Sequence, residues 1–360
     1  MPEHEGSNRT VTFLPWFKIS DLVEIGDVVF WRYPAHKRQF VPNANFETQL
    51  QRMFSTYVDI QGVAVTELTI ASFRSEPFRD LSPDEAGGIR DLIRLLAFSV
   101  ISENDYYRQI GQYFNSTHFQ HFHQRFQLGS MWIAPEARRR EGRTIHGGYQ
   151  HGQVKFTMPL QCATGFEGKP NLPLLQGLET ILRQGTPEAA AIRQAIDWSF
   201  LANSDSDSVS LRTETVMMAS AFEALLQVQD EKGKKEALKQ ELRGLFASFF
   251  IEEVEREGTD GKRERRSWKI WWMDEFYWLR NKIVHGEKIE PKRMTWTFHE
   301  HLTIAAIVLT TAVKLKLAQL GRYPLSPDDQ TAADSIDPFV ADGNLSEDKL
   351  LGARRKVRWR

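Results

Sequence analysis

Strand-like runs of apolar residues fill the first half of the chain, and helical spacing fills the second. Residues 10–17 and 27–33 are rich in Val, Phe, Trp and Thr, which suit a pleated surface. They predict two strands, with Gly26-Asp27 as the turn before the second. Residues 46–54 predict a short amphipathic helix, and residues 58–70 return to strand with a break at Gly62. Ser82-Pro83-Asp84-Glu85 supplies a cap, a proline at the first helical position and early acids. It opens a helix whose apolar face is Ile89, Leu92, Ile93, Leu96 and Val100. Residues 119–126, 129–134 and 153–160 read as later strands. The sum is a mixed α+β domain over residues 1–168.

Residues 165–173 hold two prolines and two glycines and mark a domain boundary. Beyond it the chain reads as helices almost throughout. Residues 174–183 form one. Thr186-Pro187-Glu188 starts another through Trp198 to about residue 201, and residues 203–208 are a polar loop. Ser208 or Ser210 starts the helix carrying Val216, Ala219, Phe222 and Leu226. A long helix over 234–254, a charged glycine-containing loop over 257–266 and a last helix over about 295–320 complete the pattern. Short connections between helices favour an all-α, up-and-down bundle over residues 169–325. Residues 326–360 begin rich in Pro, Asp and Ser and predict a flexible tail with a basic end, Arg354, Arg355, Lys356, Arg358 and Arg360.

The densest signal lies between Ser267 and Gly286. Ser267 is a good N-cap residue, because its hydroxyl can accept a first-turn amide. Trp268, Trp272, Leu279 and Ile283, with Phe276 between them, share one face. Gly286 ends the helix cheaply in the left-handed conformation, which puts His285 in the last turn. Asn281 and His285 share a face, while Arg280 and His285 lie roughly 140° apart around the axis. Near a helix end both can reach one groove. A guanidinium holds phosphate oxygens in a fork, and an imidazole exchanges a proton near neutral pH. Arg and His are also placed at helix ends for electrostatic reasons alone.

Glu223 sits in an apolar segment beside Phe222 and Leu225, where an unpartnered carboxylate is expensive. Arg280 or His285 on a neighbouring helix would serve as partner. Glu223 is therefore the candidate for orienting the basic pair, with an ordinary ion pair as the alternative. Glu214, one turn into the same helix, is expected to face water.

Charge and composition narrow the classes. The formal net charge is −1, so any nucleic-acid binding must come from local patches. Lys262 to Arg266, followed by Trp268 and Trp271, interleaves basic and aromatic residues in the way that single-stranded RNA binders do, or forms an exposed charged loop. The single cysteine, Cys162, permits no internal disulfide and reads as a small apolar strand residue. His118, His121 and His123 cluster without a nearby acid or cysteine, so metal binding competes with ordinary histidines. Arg138, Arg139, Arg140 and Arg143 form a basic loop, and Gly147, Gly148 and Gly152 read as a hairpin turn. The start lacks a secretory pattern, and the apolar run 302–313 is too short for a bilayer. A cytoplasmic protein, without a membrane partner, is expected.

Arg280-Asn281, three residues, then His285-Gly286, late in a helical domain, resembles the Arg-x(4–6)-His motif of HEPN domains. Residues 215–226, including Phe222-Glu223-Ala224-Leu225-Leu226, resemble the earlier core helix of that family, especially its Apea-like branch. The resemblance covers about residues 172–320; the first half shows none. It implies a HEPN-like bundle and a metal-independent endoribonuclease that attacks through the ribose 2′-hydroxyl and leaves cyclic phosphate ends. His285 would be general base or acid, and Arg280 would bind the scissile phosphate. Asn281 would bond phosphate or fix the imidazole, and Glu223 would orient the pair. No cofactor and no metal are implied. Family members commonly pair their motifs across a twofold axis, so a homodimer through the helical domain is expected. The setting implied is a bacterial toxin or anti-phage, abortive-infection effector. The first half would be a sensor or regulatory domain, answering to a phage-derived trigger or a cognate inhibitor. The resemblance equally admits a non-catalytic module that binds nucleotide, RNA or a partner. A metal-dependent hydrolase built on the first-half histidines and a structural protein are the remaining classes.

Overall fold

The structure, a computed structural model, describes residues 8–103, 115–130, 132–138, 144–146, 148–150, 152–162, 166–204, 206–228, 233–259 and 261–341. The chain divides into two compact units, Met1–Val100 with Ser116–Pro170, and Ile101–Asn115 with Asn171–Arg360. It is mixed α/β, with a strand-rich N-terminal region and helices after it. The division at Pro170 lies within the proline- and glycine-rich stretch; the grouping of 101–115 with the second unit has no sequence signal.

The first unit is built on an antiparallel sheet. Its strands are β1 (Arg9–Leu14), β2 (Phe17–Ile19), β3 (Val23–Ile25), β4 (Val28–Tyr33), β5 (Tyr57–Val58), β6 (Leu68–Phe73), β7 (Phe122–Phe126), β8 (Trp132–Arg138), β9 (Thr144–His146), β10 (Tyr149–Gln150), β11 (Phe156–Thr157) and β12 (Phe166–Gly168). Its helices are α1 (Lys37–Phe40), α2 (Ala44–Phe54) and α3 (Pro83–Ile101). The sheet order is β10-β8-β7-β1-β6-β4-β3, with β9 also paired to β8. Short parallel pairs join β11 to β5 and β12 to β2.

Five of the six β1 residues are buried, so both its faces are covered. Alternation sends Val11 and Phe13 to one face, where α2 lays Phe46, Leu50, Met53 and Phe54 into the same core. Asn43 caps α2 by accepting the Phe46 amide at 3.0 Å. Each such side chain contributes roughly 1.5–3 kcal/mol when fully buried. Thr12, on the other face, meets His123.

Several strand expectations are corrected. Residues 119–126 split into a 3-10 turn, Ser116–Phe119, and β7, because Phe119 turns to pack on Phe17 at 4.7 Å. β8 starts only at Trp132, after a turn with Gly129 at φ 78°. Within 153–160 only Phe156–Thr157 pairs. Cys162 lies in a 3-10 turn, not a strand, and is buried in the core. Gly152 lies in a turn after β10, at φ 89°, while Gly148 sits between β9 and β10. β9 and β10 keep one register against β8, Glu136 opposite His146 and Ile133 opposite Tyr149, so they are a single return strand interrupted there. Arg139, Arg140, Arg143 and Gly147 lie outside the described residues.

The second unit contains α4 (Leu172–Gln184), α5 (Pro187–Ala202), α6 (Leu211–Leu225), α7 (Lys234–Leu245), β13 (Glu253–Glu257), β14 (Arg263–Ser267), α8 (Trp268–Val284), α9 (Phe298–Gln319), α10 (Pro327–Asp334) and α11 (Ile336–Ala341). Asn171, Thr186, Ser210 and Thr297 each cap a helix through the side chain. α6 packs against α5, α8 and α9, and α8 also meets α7 and α11. α9 is long and apolar enough to cross a membrane by length and composition, and 78% of its apolar window is buried inside the protein.

Two expectations fail here. The unit is not all-α. The helix expected over 234–254 stops at Leu245, and the charged segment after it forms the hairpin β13–β14. Glu255 stands opposite Arg265 and Glu257 opposite Arg263, and such opposed charges favour the pairing. The tail is not wholly flexible either. Ser326 caps α10 with a full capping box, and α11 packs on α8. The basic end, from Arg354 to Arg360, lies outside the described residues.

Candidate functional site

Helix α8 is buried on almost every side, so polar groups along it need partners from its neighbours. At its start Lys269 donates to Asp337 of α11 at 2.6 Å, both side chains being essentially inaccessible. One turn on, Asp274 takes Lys239 at 2.8 Å, Lys235 at 3.2 Å and Arg266 at 3.3 Å, and accepts the Thr259 hydroxyl at 2.7 Å. Burial alone would raise the Asp274 carboxyl. The bonds from Lys239 and Thr259 and the charges of Lys235 and Lys239 outweigh it and hold the group well below the usual carboxylate range. Glu275 accepts the Thr295 amide at 2.7 Å and lies 3.2 Å from His301 Nε2. Trp272 stacks on Phe276 at 5.1 Å and meets Phe222 of α6 edge-on at 5.7 Å. These contacts fix the rotation of α8 and therefore where its last two turns point.

Those last turns carry the sequence-predicted residues. Arg280 is half-buried, with 21% of its side chain exposed. Its Nη1 donates to Asn281 Oδ1 at 3.2 Å, and its Nη2 lies 3.4 Å from Glu223 Oε1 on α6. Its Nε is buried and has no hydrogen-bond partner among the described residues. The guanidinium also sits 5.5 Å from the Tyr277 ring. Glu223 has found Arg280, not His285, as its partner on α8, and it carries two further donors. Lys234 Nζ lies 2.7 Å from Oε2, and the Tyr277 hydroxyl donates to Oε1 at 3.0 Å.

His285 stands one position past α8, at its C-cap, where its amide bonds the Asn281 carbonyl at 3.0 Å. Its side chain is exposed, and among the described residues no hydrogen bond joins it to Arg280, Asn281 or Glu223. Gly286 follows at φ 66°, the left-handed stop expected of it. Lys282 pairs with Glu287 beside the imidazole. That hydrogen bond and charge, with a smaller contribution from His285, lower the Glu287 carboxyl. Ser267 occupies the N-cap position, but its hydroxyl makes no cap bond.

The structure thus brings Arg280, Asn281 and Glu223 together and leaves His285 nearby in solvent. Lys234 and Tyr277 were not foreseen. Tyr277 precedes Arg280 by three positions on one helix, a spacing that places neighbours on one face. Lys234 opens another helix, and no local signal ties it to Glu223. Glu214 is corrected: it is buried, at 6% exposure, where water was expected.

The other candidates are dispersed or occupied. Of the basic run ahead of α8, Arg266 is buried against Glu264 and Asp274, 4.7 Å from the Trp271 ring, while Arg263 and Arg265 are exposed. In the first unit His118 is buried with its ring 5.6 Å from Phe166. His121 and His123 lie 5.3 Å apart, and His123 Nδ1 shares a hydrogen bond with Thr12 Oγ1 at 2.7 Å. Burial first, and nearby Arg90, push His123 down to about 4; burial, then His123, Arg90 and Arg94, push His121 down to about 3. Among the described residues no three His, Cys, Asp or Glu side chains group as a metal set. Comparison with protein-family models, with curated proteins and with solved structures finds no match for this chain.

Proposed function

We propose that the helical unit is a metal-independent endoribonuclease of the HEPN type, and that Arg280 and His285 carry the reaction. The observation that supports this most is the state of these two groups. Both reach solvent at the same end of α8, and Arg280 is held from a second helix by Glu223. Neither is sealed in the core. An imidazole takes the proton of a ribose 2′-hydroxyl, and O2′ attacks the adjacent phosphorus. Arg280 balances the charge that grows on the non-bridging oxygens. The O5′ bond breaks, and a second imidazole returns a proton to the leaving oxygen, giving a 2′,3′-cyclic phosphate and a 5′-hydroxyl. A homodimer through the helical unit supplies that second imidazole, with a His285 on each side of the twofold axis. Asn281 fixes Arg280 or bonds the phosphate.

The wider reading is that of a cytoplasmic toxin or anti-phage effector. Its first unit would regulate the nuclease in answer to a trigger or inhibitor. It rests on the family resemblance of residues 172–320. A second reading, a module that binds RNA, nucleotide or a partner without cutting, is favoured by one observation. Asn281 and Glu223 engage Arg280, and among the described residues no carboxylate is hydrogen-bonded to the His285 ring. Incubation with single-stranded RNA and with DNA of the same sequence, both in EDTA, separates the readings. RNA cut to cyclic phosphate ends, with DNA intact, supports the nuclease. RNA bound and left whole supports the binding module.

A further inference from the structure

Glu223 is offered three donors, and they are not equal. Lys234 at 2.7 Å and the Tyr277 hydroxyl at 3.0 Å are within ordinary hydrogen-bond length. The Arg280 contact, at 3.4 Å, is the longest of the three, and the guanidinium's hydrogen bond goes to Asn281. The Tyr277 hydroxyl and the Arg280 guanidinium face the same oxygen, Oε1, and compete for it, while the Lys234 ammonium draws the carboxylate through Oε2. Glu223 is thus shared between two cations, of which Arg280 is the more loosely held. If Lys234 or the Tyr277 hydroxyl were missing, Glu223 would turn its vacated lone pairs to the guanidinium. A fork closed on a carboxylate cannot close on a phosphate.

We infer that Lys234 and Tyr277 are positioning residues, which keep Arg280 available to the phosphate of a nucleic-acid chain by occupying the Glu223 carboxylate. This inference rests on the reading of Arg280 as a phosphate-binding group. Glu223 then acts as an adjustable partner whose hold on Arg280 is set by residues on α7 and α8. Lys234 contributes through its charge, and Tyr277 contributes with no charge at all. The two can therefore be told apart from a general change in electrostatic attraction.

The test uses the full chain and a 2′-O-methylated single-stranded RNA oligonucleotide, which cannot be cut through the 2′-oxygen. Lys234→Met should weaken binding about tenfold and Tyr277→Phe about threefold, the size of typical coupling between contacting groups. Adding Glu223→Gln to either variant should restore affinity to within about twofold of wild type. On unmodified RNA the same losses should appear in KM, with kcat little changed. Thermal melting identifies any variant that fails to fold, and Lys234→Gln then replaces Lys234→Met. Wild-type affinity in both single variants, a Tyr277→Phe that binds as wild type, or losses that Glu223→Gln leaves in place would overturn the inference. So would a wild type that does not bind the probe. Cleavage is not needed for this readout. A wild type that binds and cuts nothing refutes the ribonuclease reading, while the binding series still decides the role of Lys234 and Tyr277.

Discussion

Replacing Asp337 by alanine should loosen α8 more than any surface change in the second unit. Asp337 is fully buried. Its Oδ1 accepts the Lys269 amide at 2.7 Å, and its Oδ2 takes Lys269 Nζ at 2.6 Å and the Glu252 amide at 3.2 Å. Without the carboxylate, the Lys269 ammonium, at 1% side-chain exposure, keeps the Phe250 carbonyl at 3.2 Å. Breaking a buried pair from one side costs about 3–5 kcal/mol, since the remaining charge stays desolvated. Two orphaned amides add roughly 1–3 kcal/mol each if the gap stays dry, and less once water enters it. The ion pair alone, at about 4 kcal/mol with both amides rehydrated, corresponds to about a 10³-fold rise in opening. Hydrogen exchange of the Trp268–Val284 amides measures it directly. A double variant, Lys269→Met with Asp337→Leu, leaves no charge behind and should recover most of the protection. Protection in Asp337→Ala within threefold of wild type, or a double variant as exposed as the single one, would refute the reasoning.

Other outcomes follow from the geometry. A Cβ at Gly177 on α4 would lie 2.4 Å from the Arg322 carbonyl oxygen, a backbone atom that cannot swing aside. Gly177→Ala should therefore destabilise by about 1–3 kcal/mol in urea unfolding, while Gly244→Ala on α7, with nothing within 4 Å, should stabilise by roughly 0.5–1 kcal/mol. His123 is held near 4 when folded, against about 6.5 when unfolded. In that window the unfolded chain binds more protons, so stability is full above about pH 6.5 and is lost as the pH falls toward 4. His123→Gln should flatten melting temperature against pH over this range; unchanged slopes would count against it. His121, facing His123, Arg90 and Arg94, acts in the same direction.

What was legible in the sequence follows from what local patterns encode. Thr186-Pro187-Glu188 gives a helix start that the Thr186 hydroxyl caps at 3.2 Å, and Gly286 gives its stop. Ser326-Pro327-Asp328-Asp329 carries the same signal as Ser82-Pro83-Asp84-Glu85, yet its polar composition reads as a flexible tail. The capping box at Ser326 shows that the local signal outweighed composition. The β13–β14 hairpin was illegible because its strands are mostly charged, with Val254 their one apolar residue, so no apolar period marks them. The pairs that set α8 were illegible for another reason. Lys269 and Asp337 are 68 positions apart, and Lys239 and Asp274 are 35 apart, so only the fold brings them together. At the candidate site, Arg280, Asn281 and His285 could be read from one helix, and Glu223 from the cost of burying it. Lys234 could not.

The central claim is that one guanidinium and one imidazole at the end of α8 act on the same phosphodiester. Single-turnover cleavage of RNA in EDTA by wild type, Arg280→Ala, His285→Ala and the double variant tests it. Each single change should cost about 10²–10⁴ in rate, and the double variant should be little worse than the poorer single one, because groups that act as a unit are not additive. Equal cleavage by wild type and His285→Ala would contradict the account.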